Sequence, residues 1–249
     1  MTDQSPENTQ FFLTAAMPCP YLDGREERKL FTHLSGRRAS MLHHALNDHG
    51  FRRSQNLIYR PACDGCSACR SVRIPVLDFI AAARHRRNLR RNSDIAGTEL
   101  SPRVTGEQYD LFKLYLDARH EGGGMTQMSY MDYEYMVEDT PVNSLLIEYR
   151  LTQSDGTSGP LLAVALSDLM EEGLSMVYSF FDPGQRVRGL GNFMILDHIR
   201  RVREAGMKYV YLGYWVPNSP KMAYKASFQP LEVQSGPLGW QRLDPVQAV

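Results

Sequence analysis

Ser175-Met176-Val177-Tyr178-Ser179-Phe180-Phe181 runs directly into Asp182-Pro183-Gly184-Gln185-Arg186-Val187-Arg188-Gly189-Leu190-Gly191-Asn192. The first seven residues are rich in β-branched and aromatic side chains, which predicts a strand. The glycines that follow permit close backbone approach and positive φ. Phe193 to Ala205 has an amphipathic helical pattern closed by Gly206, and Tyr209 to Trp215 predicts another strand. Strand, glycine loop, helix and strand in that order aim the first free N–H groups of the helix at the loop. An anion there meets those donors and the positive end of the helix dipole, and Arg186 and Arg188 add full charges. The loop therefore reads as a phosphate cradle, with Gly189 and Gly191 giving the backbone access.

Upstream of this unit, Leu145–Leu151 and Leu161–Leu166 are further strand-like runs, separated by turn signals at 154–156 and 171–173. Strands meandering into a strand–loop–helix–strand unit predict an α+β fold with a mixed sheet and flanking helices. The Arg186-x-x-Gly189-x-Gly191 pattern resembles the pyrophosphate-binding motif of GNAT acetyltransferases, so the sheet is expected to be GNAT-like. A smaller N-terminal region containing the cysteines is expected before it. Helices are predicted over 36–48, 81–92 and 105–120, a short helical or turn-rich segment over 129–138, and a short helix over 219–227. Short strands are predicted over 56–59 and 71–76.

Of the chain's 249 residues, 28 are Lys or Arg and 28 are Asp or Glu, so the net charge is zero. The distribution is uneven. Residues 25–103 hold 16 basic against 7 acidic side chains, and 104–249 hold 12 against 18. With the change in pattern, this places a boundary between 1–103 and 104–249. Twenty-three of the basic residues are Arg, the side chain suited to bidentate phosphate contacts. Arg84-His85-Arg86-Arg87-Asn88-Leu89-Arg90-Arg91 puts Arg84, Arg87 and Arg91 on one helix face, which suits either a phosphate backbone or solvent. No base-reading side chains are evident, so the stripe would position RNA rather than read it.

Cys63-Asp64-Gly65-Cys66-Ser67-Ala68-Cys69 has the C-x-x-C-x-x-C spacing, with Cys19 available as a fourth ligand. The tight triple favours an iron–sulfur cluster over zinc, and thiols without metal remain the alternative. No cofactor is needed for acyl transfer itself. The polar, acidic start MTDQSPENTQ lacks a secretory pattern and no apolar run reaches membrane-spanning length, so a cytoplasmic address and no membrane partner are expected.

Several separate stretches resemble the bacterial aspartate/glutamate leucyltransferases, relatives of the arginyl-tRNA–protein transferases. They are Cys19-Pro20-Tyr21-Leu22, Glu27 to Leu34, Tyr59-Arg60-Pro61 with the cysteine run, and Ala118-Arg119-His120 with Gly123-Gly124-Met125. Tyr178 to Pro183 and Leu212-Gly213-Tyr214-Trp215 through Tyr224-Lys225 complete the set. The resemblance implies transfer of leucine from leucyl-tRNA to proteins beginning with Asp or Glu, marking them for degradation by the N-degron route. For that reaction the candidate proton-handling residues are His120, Tyr178, Asp182 and Tyr214. Arg84, Arg87, Arg91, Arg186, Arg188, Gly189 and Gly191 are the candidates for tRNA phosphates. Arg60, Lys221 and Lys225 are the candidates for the acceptor's carboxylate, and Lys221 and Lys225 would share a face if helical. The rival readings are an acetyl-CoA-dependent N-acetyltransferase and a non-enzymatic, cluster-carrying RNA-binding regulator.

Overall fold

The computed structural model of the chain describes residues 9–119, 124–153, 155–217 and 219–244. Its N-terminal part contains β1 (Phe12–Leu13), β2 (Met17–Pro18), β3 (Glu26–Glu27), β4 (Lys29–His33), α1 (Ala39–Asp48), β5 (Arg52–Ser54) and β6 (Leu57–Pro61). There follow β7 (Arg70–Pro75), α2 (Ala83–Arg91), β8 (Ile95–Leu100), α3 (Gly106–Arg119) and α4 (Tyr130–Glu138). The last part holds β9 (Ser144–Thr152), β10 (Ser158–Met170), β11 (Gly173–Phe181), α5 (Leu190–Glu204), β12 (Tyr209–Trp215), β13 (Glu232–Gln234) and β14 (Trp240–Arg242).

Eight strands form the main sheet in the order β14-β13-β7-β12-β11-β10-β9-β8. The architecture is mixed α+β, as the strand and helix patterns predict. The sheet does not divide at residue 103. β7, from the basic first third, pairs antiparallel with β12 and β13, and β8 pairs with β9. Val72 and Ile74 of β7, and Val76 just after it, are fully buried beside Leu174, Val210 and Leu212. What stands apart is a four-stranded sheet, β1-β4-β6-β5, with α1.

Alternating side chains give the main sheet two apolar faces. On one, α5 buries Ile195, Leu196, Ile199 and Val202 against β7, β11 and β12. On the other, Leu111, Phe112, Tyr115 and Leu116 of α3 and Tyr133 and Val137 of α4 pack on Leu146, Val164, Leu166 and Phe180. Fully burying each such side chain stabilises the fold by roughly 1.5–3 kcal/mol.

The N-terminal unit is tied to the sheet by charge. Arg53 grips both carboxylate oxygens of Asp168 at 2.6 Å, and Ser144 Oγ donates to the same carboxylate at 2.7 Å. His43 Nε2 lies 3.5 Å from Asp168 and is buried with them. Burial outweighs that carboxylate and lowers the His43 pKa to about 4.

A forked sheet as candidate active site

Among the described residues β11 and β12 form the one parallel pair of the main sheet, and they stay together only briefly. Gly173 faces Tyr209, Leu174 faces Val210 and Ser175 faces Tyr211. Beyond that point β11 continues along β10, with Phe181 opposite Ala163. β12 instead continues along β7, with Gly213, Tyr214 and Trp215 opposite Val72, Ser71 and Arg70. The sheet thus forks between β11 and β12 towards their C-terminal ends. Strand edges parting in this way can receive an extended ligand between them.

Two features shape the β12 side of the fork. The register shifts between Tyr211 and Gly213, and Gly213 has φ +75°, a left-handed conformation suited to glycine. The carbonyls of Leu212 and Tyr214 both accept from Lys225 Nζ, at 2.7 and 2.6 Å. Lys225 is buried, which pulls its pKa down to about 7. Its amino group is therefore used to hold the bulge.

At the open end, β11 passes through Asp182 into a 3₁₀ turn, Pro183–Arg188, and then into α5. Asp182 Oδ1 accepts from the Gly184 N–H at 2.8 Å and so starts that turn. Gly189 ends it at φ +63°, and an added Cβ would lie 2.9 Å from Asn88 Nδ2. The left-handed backbone favours glycine there, and a side chain would also have to displace the Asn88 amide. At Gly191 a Cβ would meet only Phe181, at an ordinary 3.5 Å, so packing alone does not demand glycine.

The basic helix α2 docks against this loop. Asn88 Nδ2 donates to the carbonyls of Arg188 and Gly189 at 3.0 and 3.1 Å, and Asn92 Nδ2 donates to Arg188 at 3.0 Å. Arg91 donates to the Val187 carbonyl and Arg84 to that of Ser227. Arg84, Arg87, Arg91 and Arg186 are exposed. The arginine stripe and the glycine loop, 100 residues apart in sequence, are therefore one surface beside the N-terminus of α5. Asn88 was missed in the sequence because it interrupts an arginine run whose charge dominates the reading.

Not every expected phosphate ligand is available. Arg188 is committed to Asp94 by two bonds of 2.8 and 2.9 Å. Arg186 makes no ion pair among the described residues.

Of the proton-handling candidates, Tyr178 and Asp182 lie on and just after β11, and Tyr214 lies on β12. Tyr178 lies on the diverging part of β11. Its hydroxyl is buried without a hydrogen-bond partner among the described residues, and burial raises its pKa, so it is a proton donor rather than a base. Tyr214 departs from the expectation. Its hydroxyl is tied to the carbonyls of Gly50 and Tyr59 at 3.0 and 2.9 Å, fastening the N-terminal unit to β12. His120 lies outside the described residues.

The acceptor candidates do not assemble. The turn after β12 is 3₁₀, Ala223–Ser227, and it leaves Lys221 exposed outside it while Lys225 points inward. Arg60 covers the Phe51 ring and lines a cavity of about 730 Å³ with Glu172 and Tyr209, at the beginnings of β11 and β12. That is the opposite end of the pair from the fork's opening.

Cys19, Cys63, Cys66 and Cys69 line one small cavity with Tyr21, Glu27 and Tyr59. Burial and the three neighbouring thiols push Cys69 up to about 12. Four convergent thiols are a donor set for soft metals. Among the described residues, however, no three metal-binding side chains stand close enough together to hold an ion in this arrangement. No helix there is long and apolar enough to cross a membrane.

The family models "Arginine-tRNA-protein transferase, N terminus" and "Arginine-tRNA-protein transferase, C terminus" match residues 17–87 and 107–235. The chain belongs to the arginine-tRNA–protein transferase family. It is accordingly a transferase. It is 53% identical over 98% of its length, and all of the relative's, to an aspartate/glutamate leucyltransferase of Azorhizobium caulinodans. It is 51% and 52% identical to proteins of the same name from Rhodopseudomonas palustris and Bradyrhizobium diazoefficiens, over 98% of this chain and 96% of each. Among solved structures it is similar to FemX, with a TM-score of 0.44 and 11% identity over 74% of this chain and 62% of that one.

Proposed function

We propose that this chain transfers the leucyl group of leucyl-tRNA to the α-amine of proteins beginning with Asp or Glu, in the cytoplasm, marking them for degradation. The observation that carries the acyl-transfer part is the fork between β11 and β12, which opens beside the glycine loop and the arginine stripe. A donor with an acyl group at one end and phosphates at the other suits that layout. The names of the full-length relatives supply the donor and the acceptor.

The reaction is aminolysis of an ester. The acceptor amine, with an ordinary pKa near 8, loses a proton and attacks the leucyl carbonyl. The C–N bond forms, an oxyanion develops, and the ester C–O bond breaks to release the terminal ribose hydroxyl, which takes up a proton. Tyr178, held protonated by burial, supplies a hydrogen bond to the oxyanion or the leaving oxygen. Asp182 and His120 are the proposed proton acceptors. Arg84, Arg87, Arg91 and Arg186 hold the phosphates near the tRNA 3′ end, with the backbone at Gly189 and Gly191, while Arg188 fixes the loop. The ester is already activated, so positioning carries much of the rate. The fork in the mixed sheet and the glycine loop before α5 support a GNAT-like fold. The cysteines are proposed to hold an iron–sulfur cluster or zinc as a structural group, and no step passes through it.

The test supplies purified protein with labelled leucyl-tRNA, other aminoacyl-tRNAs and acetyl-CoA in parallel, with a Glu-initiated peptide as acceptor. Leucine incorporation alone supports the reading. Consumption of acetyl-CoA with no use of charged tRNA overturns it in favour of an N-acetyltransferase.

A further inference from the structure

Resting on that reading, we infer that the Arg119 guanidinium receives the side-chain carboxylate of the acceptor's first residue. Arg119 is the last residue of α3. Its guanidinium carbon stands 5.9 Å from the ring centroids of both Tyr115 and Phe181. Phe181 is the last residue of β11, directly before the Asp182 turn, and its ring lies 5.1 Å from that of Tyr115. The cation is therefore at the opening of the fork.

Arg119 is exposed and makes no ion pair among the described residues. Its backing is aromatic rather than acidic. Such rings hold a guanidinium by its face and leave its N–H edges for a ligand, and the edge geometry matches a carboxylate bidentately. The charge is also close enough to oppose the burial-driven rise in the Tyr178 and Tyr224 hydroxyl pKa values. Tyr178 adds the second observation: a buried hydroxyl with no hydrogen-bond partner among the described residues, on the diverging part of β11.

The chemistry of the acceptor requires this proximity. Asp and Glu carry their carboxylate one or two methylenes from the carbon that bears the reacting amine, so the residue that reads it must border the site of attack. Three other cations fail that requirement. Lys225 is spent on two carbonyls, Arg188 on Asp94, and Arg60 lines the far cavity. A rival role for Arg119 is purely local, since a cation in the last turn complements the helix dipole.

The experiment compares leucine transfer to peptides differing only in their first residue, Glu, Asp, Gln or Asn, in the wild type, Arg119→Met and Arg119→Lys. Melting temperature and leucyl-tRNA binding check that the variants are folded. Losing a charge-assisted pair is expected to cut kcat/KM for the Glu peptide by about 30–100-fold and to collapse the preference for Glu over Gln. Arg119→Lys, still charged but without the fork geometry, should fall between. An unchanged Glu-to-Gln ratio in Arg119→Met overturns the assignment, as does an equal loss for both peptides. If the wild type transfers leucine to none of the peptides, the leucyltransfer reading itself has failed; wild-type transfer with an intact ratio in the variant sinks only the role of Arg119.

Discussion

Arg188 and Asp94 face one another across the glycine loop in a paired contact of 2.8 and 2.9 Å. The pair joins the loop before α5 to the chain leaving α2. It divides labour between two arginines that look equivalent in sequence: Arg188 shapes the cradle and Arg186 is left to fill it.

Arg186→Ala should therefore leave the melting temperature unchanged and weaken leucyl-tRNA binding. Its salt dependence should fall by about one phosphate contact. Arg188→Ala should also lower stability, by ~1 kcal/mol or less because the pair is partly exposed. Binding isotherms across a salt series, alongside thermal melts, separate the two. Equal behaviour of the two variants would contradict the division.

The two loop glycines should likewise part company. Gly189→Ala forces a side chain into a left-handed conformation against Asn88, and a loss of ~1–2 kcal/mol is expected in denaturant unfolding. Gly191→Ala meets only ordinary contact with Phe181, so stability should hold. If the backbone there approaches phosphate, KM for leucyl-tRNA should rise about tenfold.

Lys225→Met should cost ~2–3 kcal/mol, because the carbonyls of Leu212 and Tyr214 lose their donor. The pH dependence follows from the sign of the shift. The folded pKa of about 7 lies below the ordinary 10.4 or so, so between those values the unfolded chain holds the extra proton. Wild-type stability then gains from this group as pH rises through that window, and the variant should lack the gain. Urea melts at pH 7 and pH 9 check it.

His43 governs the acid side by the same logic. With its folded pKa near 4, the unfolded chain alone is protonated between about 6.5 and 4, so stability falls as pH drops through that range. Asp168 and Arg53 face the ring from the sheet and from β5, and His44 and Arg52 add nearby charge. His43→Gln should flatten this part of the stability curve. An unaltered slope would show that other groups set it.

Much of the fold was legible because it is locally encoded. β12 occupies the predicted 209–215, and α2, α3 and α4 fall within a residue or two of their periodic patterns. The main sheet crosses residue 103 because β7 joins it through partners more than a hundred residues away, a pairing no local pattern reveals. Lys221 and Lys225 were expected on one helical face, but a five-residue 3₁₀ turn starting at Ala223 cannot carry both. In the site, the glycine loop and the arginine stripe were each visible, while their contact through Asn88 was not. The sequence offers Tyr214 as a proton-handling candidate. Its partners are carbonyls of a different unit, invisible until the chain is folded.

The most direct test is the mass and fragmentation of a Glu-initiated peptide after incubation with leucyl-tRNA and the wild-type chain. The expected product carries one added leucine on its α-amine, and an N-terminally blocked copy of the peptide stays unmodified. An unmodified free peptide, or one acylated elsewhere than at its α-amine, would contradict the account.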